Sequence, residues 1–314
     1  MQLIVQPTAG SAPIMSAIKR AKKSVDVLIF RLDRTEMADA LAAAVRRGVS
    51  VRALVAYTNR GGEKNLRKLE MRLLENGVTV ARTADDLVRY HGKMMIVDRE
   101  LLHVYGFNFT ALDIKHSRSF GIVTKQRKFV EEAVKLFDAD CARQTYCSGY
   151  DRFVVSPVNA RERLTEFIEG ANRQLVIYDP KISDAGILRA LTERKRAGVD
   201  IKIIGKVGRE KTPLTSEKYP GKRFHVRAMV RDGRLAFVGS QSLRKLELER
   251  RREIGLVVGD AAVVKGILQT FEQDWAQTEA GRAELEQLKK AAQEQDKAVP
   301  KTATPEPDPA LVGS

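Results

Sequence analysis

The chain has 314 residues, 43% of them apolar, enough to bury one large or two modest domains and too many for a wholly disordered protein. Lys and Arg number 55 against 40 Asp and Glu, a net charge of +15, which directs attention to anionic partners: nucleic acid, acidic phospholipid or phosphorylated substrates. No apolar run approaches the ~20 residues of a membrane span, and residues 1–7 lack the basic start and long apolar stretch of a signal peptide, so a soluble, cytoplasmic protein is expected, with basic side chains left for peripheral contact with an acidic membrane.

In chain order, Leu3-Ile4-Val5-Gln6-Pro7 reads as a strand ending at proline, followed by a helix and a β-rich run at 25–30. A second helix over 37–47 ends at Gly48, as helix C-termini commonly do, and a strand at 50–55 follows. Residues 65–76 read as an amphipathic helix with Leu66, Leu69, Leu73 and Leu74 on one face. The pattern then begins again: Phe153-Val154-Val155-Ser156-Pro157 repeats the first strand at an offset of 150, which also pairs Ile18 with Ile168, Ala21 with Ala171 and Gly48 with Gly198. Its run at 175–178, helix at 185–197 and strand at 200–204 copy the first set. Further on the offset is 134, pairing His91 with His225, Asp98 with Asp232, Gly121 with Gly255 and Phe137 with Phe271. The difference of 16 places an insertion in the first copy between Gly48 and His91, where the amphipathic helix lies. Alternating strands and helices predict an α/β protein of two pseudo-twofold-related sandwich repeats, 1–145 and 146–280, each a mixed sheet flanked by helices. Residues 281–314 form a separate C-terminal part. A polar helix is predicted at 279–297, and a tail with four prolines at 299–314 is expected to be disordered. Cys141 and Cys147 make no disulfide framework or metal-ligand spacing and are read as reduced thiols.

The chemistry concentrates in His91-Gly92-Lys93-Met94-Met95-Ile96-Val97-Asp98. On a strand His91 and Lys93 point the same way, joining a nucleophile or proton shuttle that works near neutral pH to a cation for phosphate oxygens. Asp98 follows an apolar stretch. The second copy reads His225-Val226-Arg227-Ala228-Met229-Val230-Arg231-Asp232, with Arg in place of Lys.

With these two motifs the chain, over about residues 1–280, resembles the phospholipase D superfamily, whose signature is His-x-Lys-x-x-x-x-Asp, usually twice. The resemblance implies one active site shared by the two copies. It implies a two-step displacement through a phosphohistidine, without metal or cofactor, on an anionic phosphodiester. Lys93, Arg227, Asn108, Ser240 and Ser242 would surround the phosphoryl oxygens. The family's Gly-Ser-x-Asn is split: Tyr105-Gly106-Phe107-Asn108 keeps the asparagine, and Gly239-Ser240-Gln241-Ser242 keeps the serine. Its downstream acidic residue is Glu253 in the second copy and Ser119 in the first. Glu253 is expected beside the histidine of its own repeat, His225, raising its pKa. This makes His91 the nucleophile and His225 the general acid, with Asp98 and Asp232 counted in the catalytic set. Arg227→Lys is expected to leave activity the same or higher.

His103 and His116 lack repeat partners and are read as structural or surface residues. Arg118 and Arg252 match across the repeats and either line the site mouth or form salt bridges. Of the basic runs, 19–23 and 194–196 read as solvated helix faces, and Arg250-Arg251-Arg252 as an attractor of anionic substrate. Phe107 and Phe109 suit core packing or stacking on a substrate; Trp275 suits the core. The leading function is a phospholipid-directed hydrolase or phosphatidyl transferase; a nuclease and a non-catalytic anion-binding protein are the alternatives.

Overall fold

The computed structural model describes residues 1–58, 63–208 and 213–298, so the tail at 299–314 lies outside the described residues. The first copy runs β1 (Gln2–Gln6), α1 (Ala12–Arg20), β2 (Ser24–Ile29), α2 (Thr35–Arg46), β3 (Ser50–Val55), α3 (Glu63–Glu75), β4 (Thr79–Arg82), β5 (Arg89–Tyr90), β6 (Met94–Val97), β7 (Leu101–Tyr105), α4 (Ala111–His116), β8 (Ser117–Thr124) and α5 (Arg127–Ala142). The second runs β9 (Phe153–Ser156), α6 (Ala160–Glu169), β10 (Gln174–Ile182), α7 (Ala185–Arg196), β11 (Asp200–Val207), β12 (Arg223–Phe224), β13 (Ala228–Arg231), β14 (Leu235–Gly239), α8 (Lys245–Glu249), β15 (Arg251–Val258) and α9 (Ala261–Trp275), and the polar helix α10 (Glu279–Ala298) follows. Gly48 and Gly198 follow α2 and α7 with φ of 83° and 89°, a left-handed conformation that glycine adopts without a Cβ penalty.

The first sheet has the order β1-β8-β7-β6-β2-β3-β4. In the second, β9 pairs with β15, which continues β14-β13-β10-β11, the same order without a counterpart of β4. Both sheets are mixed: β2–β3 and β10–β11 are parallel, and β6, β7, β8 and their counterparts antiparallel. The inner sheet faces, with α5 and α9, share one apolar core, while α1 and α2 cover the outer face of the first sheet and α6 and α7 that of the second. The insertion is α3 plus β4. Leu66 and Leu73 of α3 are buried, but Leu74 is half exposed, contrary to the expected face; it lies roughly 80° round the helix from Leu66. Glu70 is buried on that side instead, paired with Arg67 and Arg82.

One short strand of each copy belongs to the other copy's sheet. β5 pairs in parallel with β15, Arg89 opposite Arg251 and Tyr90 opposite Arg252. β12 pairs in parallel with β8, Arg223 opposite Ser117 and Phe224 opposite Arg118. The same strands carry two ion pairs between the copies: Arg118 bonds Asp274 through two nitrogens at 2.9 Å, and Arg252 bonds Asp140 at 3.0 Å. Arg118 and Arg252 are thus salt-bridge residues, and Asp140 and Asp274 are themselves equivalent at the 134 offset. Burial pushes the Asp140 carboxyl up to about 6, against the pull of Arg252.

Both partners of the Arg252–Asp140 pair are buried, so Arg252→Met strands a carboxylate away from water. It is expected to lower unfolding stability in denaturant titration by about 3–5 kcal/mol. The exposed Arg127–Glu131 pair supplies the control, Arg127→Met leaving the midpoint unchanged.

Candidate active site

The exchanged strands place both motifs. Directly after β5, the His91 and Gly92 amides donate to the Arg252 carbonyl at 2.7 and 2.9 Å; after β12, the His225 amide donates to the Arg118 carbonyl at 3.3 Å. A Cβ at Gly92 would come within 2.7 Å of Ile254, so the motif approaches β15 more closely than a side chain there allows. His91 and Lys93 share one side, as the alternation predicts, and Lys93 Nζ lies 2.9 Å from both His91 ring nitrogens.

Glu253 does not sit beside His225. Its carboxylate accepts from His91 Nδ1 at 2.8 and 3.0 Å. The parallel register explains this correction: with Arg252 opposite Tyr90, the next residue of β15 meets the next residue of the other copy's motif, His91. By the same register Ser119 follows the residue opposite Phe224, and its hydroxyl has no hydrogen-bond partner. The carboxylate near His225 comes instead from α4, with Asp113 Oδ2 at 3.4 Å from Nδ1. Asp113 also accepts from the Asn108 amide (2.9 Å), Asn108 Nδ2 (2.7 Å) and Arg223 (2.8 Å). Sequence inspection missed Asp113 and Arg223, which belong to different copies and meet only through β12 and β8.

Other expected site residues are placed differently from their sequence reading. Asn108 spends its amide nitrogen on Asp113 and keeps a buried, unpartnered Oδ1. Ser240 is fully buried, accepts from the Ile254 amide at 3.1 Å and supports the charged form of Glu253. Ser242 is buried and accepts from Arg227 Nε at 3.3 Å, while Arg227 Nη1 is buried without a partner. Asp98 and Asp232 are not brought to the cluster. Each follows the far end of its strand at positive φ and accepts three backbone N–H bonds, from Lys22, Lys23 and Ser24, and from Asn172, Arg173 and Gln174. These carboxylates tie the motif strand to the start of β2 or β10. In the Arg250-Arg251-Arg252 run only Arg250 is exposed; Arg251 bonds Glu247 and Arg252 bonds Asp140, so the run is mostly internal wiring. Phe107 and Phe109 are core residues and Trp275 packs partly buried against the core, donating to Glu284. His116 is exposed at the end of α4, and His103 is buried in β7.

The electrostatics follow from burial among cations. Burial, with Lys93, Arg227, Arg251 and Arg89, drives the His91 pKa well below its ordinary value. Burial and Arg227 do the same to His225, with Asp113 opposing. Burial brings Lys93 down to about 7 although Glu253 opposes it. Burial raises Glu253 despite Lys93. Burial would raise Asp113 as well, but His225, the Asn108 amide and Arg223 outweigh it and hold the carboxyl at about 2. Burial lifts Asp179, a carboxylate on β10 that sequence inspection also missed, to about 6 against the Leu243 and Lys181 amides and Arg227. The cluster therefore offers two neutral imidazoles, each near a carboxylate, with cations beside them: groups suited to attack on an anionic centre and to proton transfer.

A family model described as cardiolipin synthase, PLD-like domain, matches residues 14–141 and again 164–275. A polyphosphate kinase of Pseudomonas aeruginosa is 23% identical over 223 residues, 64% of this chain and 32% of that protein. Polyphosphate kinase 1 of Chlorobaculum tepidum is 25% identical over 222 residues, with the same shares of 64% and 32%. The chain thus spans about a third of the length of these curated relatives. Among solved structures, polyphosphate kinase from Porphyromonas gingivalis superposes with a TM-score of 0.73 at 17% identity, over 86% of this chain and 46% of that one. Phosphatidylserine synthase of Haemophilus influenzae superposes with a TM-score of 0.64 at 10% identity, over 88% and 85%. These structural likenesses show a shared fold.

The depressed histidines fix a pH dependence. The unfolded chain protonates imidazoles near 6.5 and the folded site does not, so this contribution to stability is complete above that pH and is lost as pH falls below it. Between pH 7.5 and 6 the wild type is expected to lose about 1 kcal/mol per ring more than His91→Gln or His225→Gln in denaturant titrations. Imidazole nitrogen NMR should show both rings neutral at pH 6.

Proposed function

Because the chain belongs to the phospholipase D superfamily, its PLD-like domain model matching both copies, we propose that it is a phosphodiesterase or phosphatidyltransferase working through a phosphohistidine. The observation that carries this reading is the His91–Glu253 pair facing Lys93, with His225, Asp113 and Arg227 supplied from around the same pseudo-dyad. With Nδ1–H donated to Glu253, His91 keeps its lone pair on Nε2, the attacking atom. A phosphoryl oxygen that competes for the Lys93 ammonium frees this nitrogen. Nε2 attacks phosphorus, a P–N bond forms and the P–O bond to the leaving group breaks. His225 gives that oxygen a proton. It then takes one from water or an alcohol, which attacks phosphorus as the P–N bond breaks and His91 is released. The bound anion, added to Asp113, raises His225 toward the range in which it can hold a proton. The assignment of nucleophile and acid thus matches the one read from sequence, for a different reason: Glu253 orients the nucleophile. Asp98 and Asp232 are positioning residues.

Phospholipid is the proposed substrate class. The cardiolipin synthase description of the family model and the phosphatidylserine synthase likeness, which extends over 85% of that protein, support it. A second reading, transfer from a phosphoanhydride chain, is favoured by the polyphosphate kinases that match 64% of this chain.

The test uses phosphatidylglycerol vesicles, a single-stranded oligonucleotide and a polyphosphate chain, offered to wild type and His91→Ala in chelator-containing buffer. Lipid turnover is expected, reduced at least ~10²-fold in the variant, with labelled phosphate trapped on His91. Polyphosphate or oligonucleotide consumption without lipid turnover replaces the substrate class, and phosphate mapped to His225 reverses the two roles. Arg227 and Ser242 stand where the first copy has Lys93 and Asn108. Arg227→Lys combined with Ser242→Asn is therefore expected to match or exceed wild-type kcat/KM. A loss beyond about tenfold, ~1.4 kcal/mol of transition-state stabilisation, would mean the guanidinium is specifically used.

A further inference from the structure

Asp179 of β10 is 2% exposed and plays no part in the proposed steps. Its carboxylate accepts from the Leu243 and Lys181 amides, both at 2.8 Å. Burial works against its charge, which those amides, Arg227 and the Ser242 hydroxyl favour. Ser242 Oγ accepts from Arg227 Nε at 3.3 Å, so the hydroxyl proton is left for Asp179. The three side chains form a bridge from carboxylate to hydroxyl to guanidinium.

The first copy provides a comparison within the same molecule. The 150 offset puts Ile29 in the place of Asp179 and Val55 in the place of Gly205, the residue opposite Asp179 on β11. Ile29 and Val55 face each other in the same way and belong to the apolar core. The 134 offset puts Phe109 in the place of Leu243, and the Phe109 amide donates to the Arg31 carbonyl at 3.1 Å. A backbone oxygen thus satisfies in one copy the amide that a buried carboxylate satisfies in the other, so the fold itself does not require the carboxylate. The second copy is adapted to it nonetheless: Gly205 has a φ of 147°, and a Cβ there would overlap the Asp179 carbonyl oxygen. A carboxylate withdrawn from water also costs free energy that an isoleucine does not.

What changes together with Asp179 is the cation of the motif. The first copy has Lys93 and Asn108 where the second has Arg227 and Ser242. Lys93 is a compact ammonium that rests 5.4 Å over the Phe30 ring and reaches both His91 nitrogens. A guanidinium is a planar fork, and its donors reach a phosphoryl oxygen only when that plane is fixed. The Arg227 charge is felt by His91, His225, Lys93 and Glu253, which places it inside the cluster, and its Nη1 is buried without a hydrogen-bond partner. We propose that Asp179 is a positioning residue: through Ser242 it holds the plane of Arg227 so that Nη1 meets a phosphoryl oxygen of the substrate. This rests on the phosphoryl-transfer reading of the site.

The test has two readouts on the full chain. The first needs no substrate: NMR relaxation of the Arg227 Nε–H, its signal assigned by its loss in Arg227→Lys, compared between wild type and Asp179→Asn. The asparagine keeps an oxygen for the Leu243 amide and loses the charge, so a role confined to holding the loop would leave Arg227 ordered. Arg227 is expected to be ordered in wild type and mobile in the variant, while Arg118, held by Asp274, stays ordered in both. Should Asp179→Asn fail to fold by circular dichroism, Ser242→Ala, which leaves both amides bonded to Asp179, takes its place. The second readout is kcat/KM on phosphatidylglycerol vesicles. Asp179→Asn is expected to lose about tenfold or more in the wild-type background. The loss should shrink to about twofold or less once Arg227→Lys and Ser242→Asn are present, because an ammonium needs no fixed plane. An equally ordered Arg227 in both proteins, or the same fold-loss in both backgrounds, overturns the proposal. If the wild type turns over no lipid, the substrate reading fails separately, and the relaxation comparison alone supports or overturns the role of Asp179.

Discussion

The exchange of two-residue strands between the copies is the constraint on which the rest of the site depends. β5 and β12 are too short to stand alone, yet each fixes the backbone immediately before a histidine to the other copy's long strand. Once Tyr90 pairs with Arg252, the register determines that Glu253 meets His91, and the same ladder brings Arg252 to Asp140. Separating the copies would break both motif anchors, part Asp140 and Asp274 from their arginines and pull Glu253 from its histidine. Stability and the proposed chemistry thus rest on the same few hydrogen bonds.

Within this near-symmetric frame, the copies have diverged at positions that touch. The second copy has Ser240 beside Glu253; the first has Gly106 and Ser119 at the equivalent places, and a Cβ on Gly106 would lie only 3.0 Å from Ser119 Oγ. The second copy also has Arg227 against Ser242 where the first has Lys93 and Asn108. A long guanidinium and a short hydroxyl occupy the space that a lysine and an asparagine occupy elsewhere. Loss of the acidic group at Ser119 is offset by Asp113, which reaches His225 from a helix instead of a strand. The two imidazoles consequently differ: His91 holds a carboxylate at 2.8 Å and His225 one at 3.4 Å. In the proposed mechanism that difference in carboxylate contact, and not burial, distinguishes the two rings, since both are largely withdrawn from water.

Much was legible in the sequence. The two offsets located the repeated strands and helices that open each copy and the inserted helix, because strand and helix periodicities and glycine stops are local properties of the chain. His91 with Lys93, and His225 with Arg227, were legible because alternation along a strand places i and i+2 on one side. Among the described residues no helix is long and apolar enough to cross a membrane, in line with the hydropathy pattern.

What only the tertiary structure decided is which groups meet across the copies. Glu253 lies 28 positions from His225 and 162 from His91, yet it bonds the distant one, because a parallel pairing of two residues outweighs proximity along the chain. Asp98 and Asp232 belong to the motif by spacing but turn away from it, since an aspartate at positive φ after a strand finds three unpaired amides closer than any imidazole. Sequence determined the residues and their strands; the register between copies, a property of packing over long separations, determined their partners.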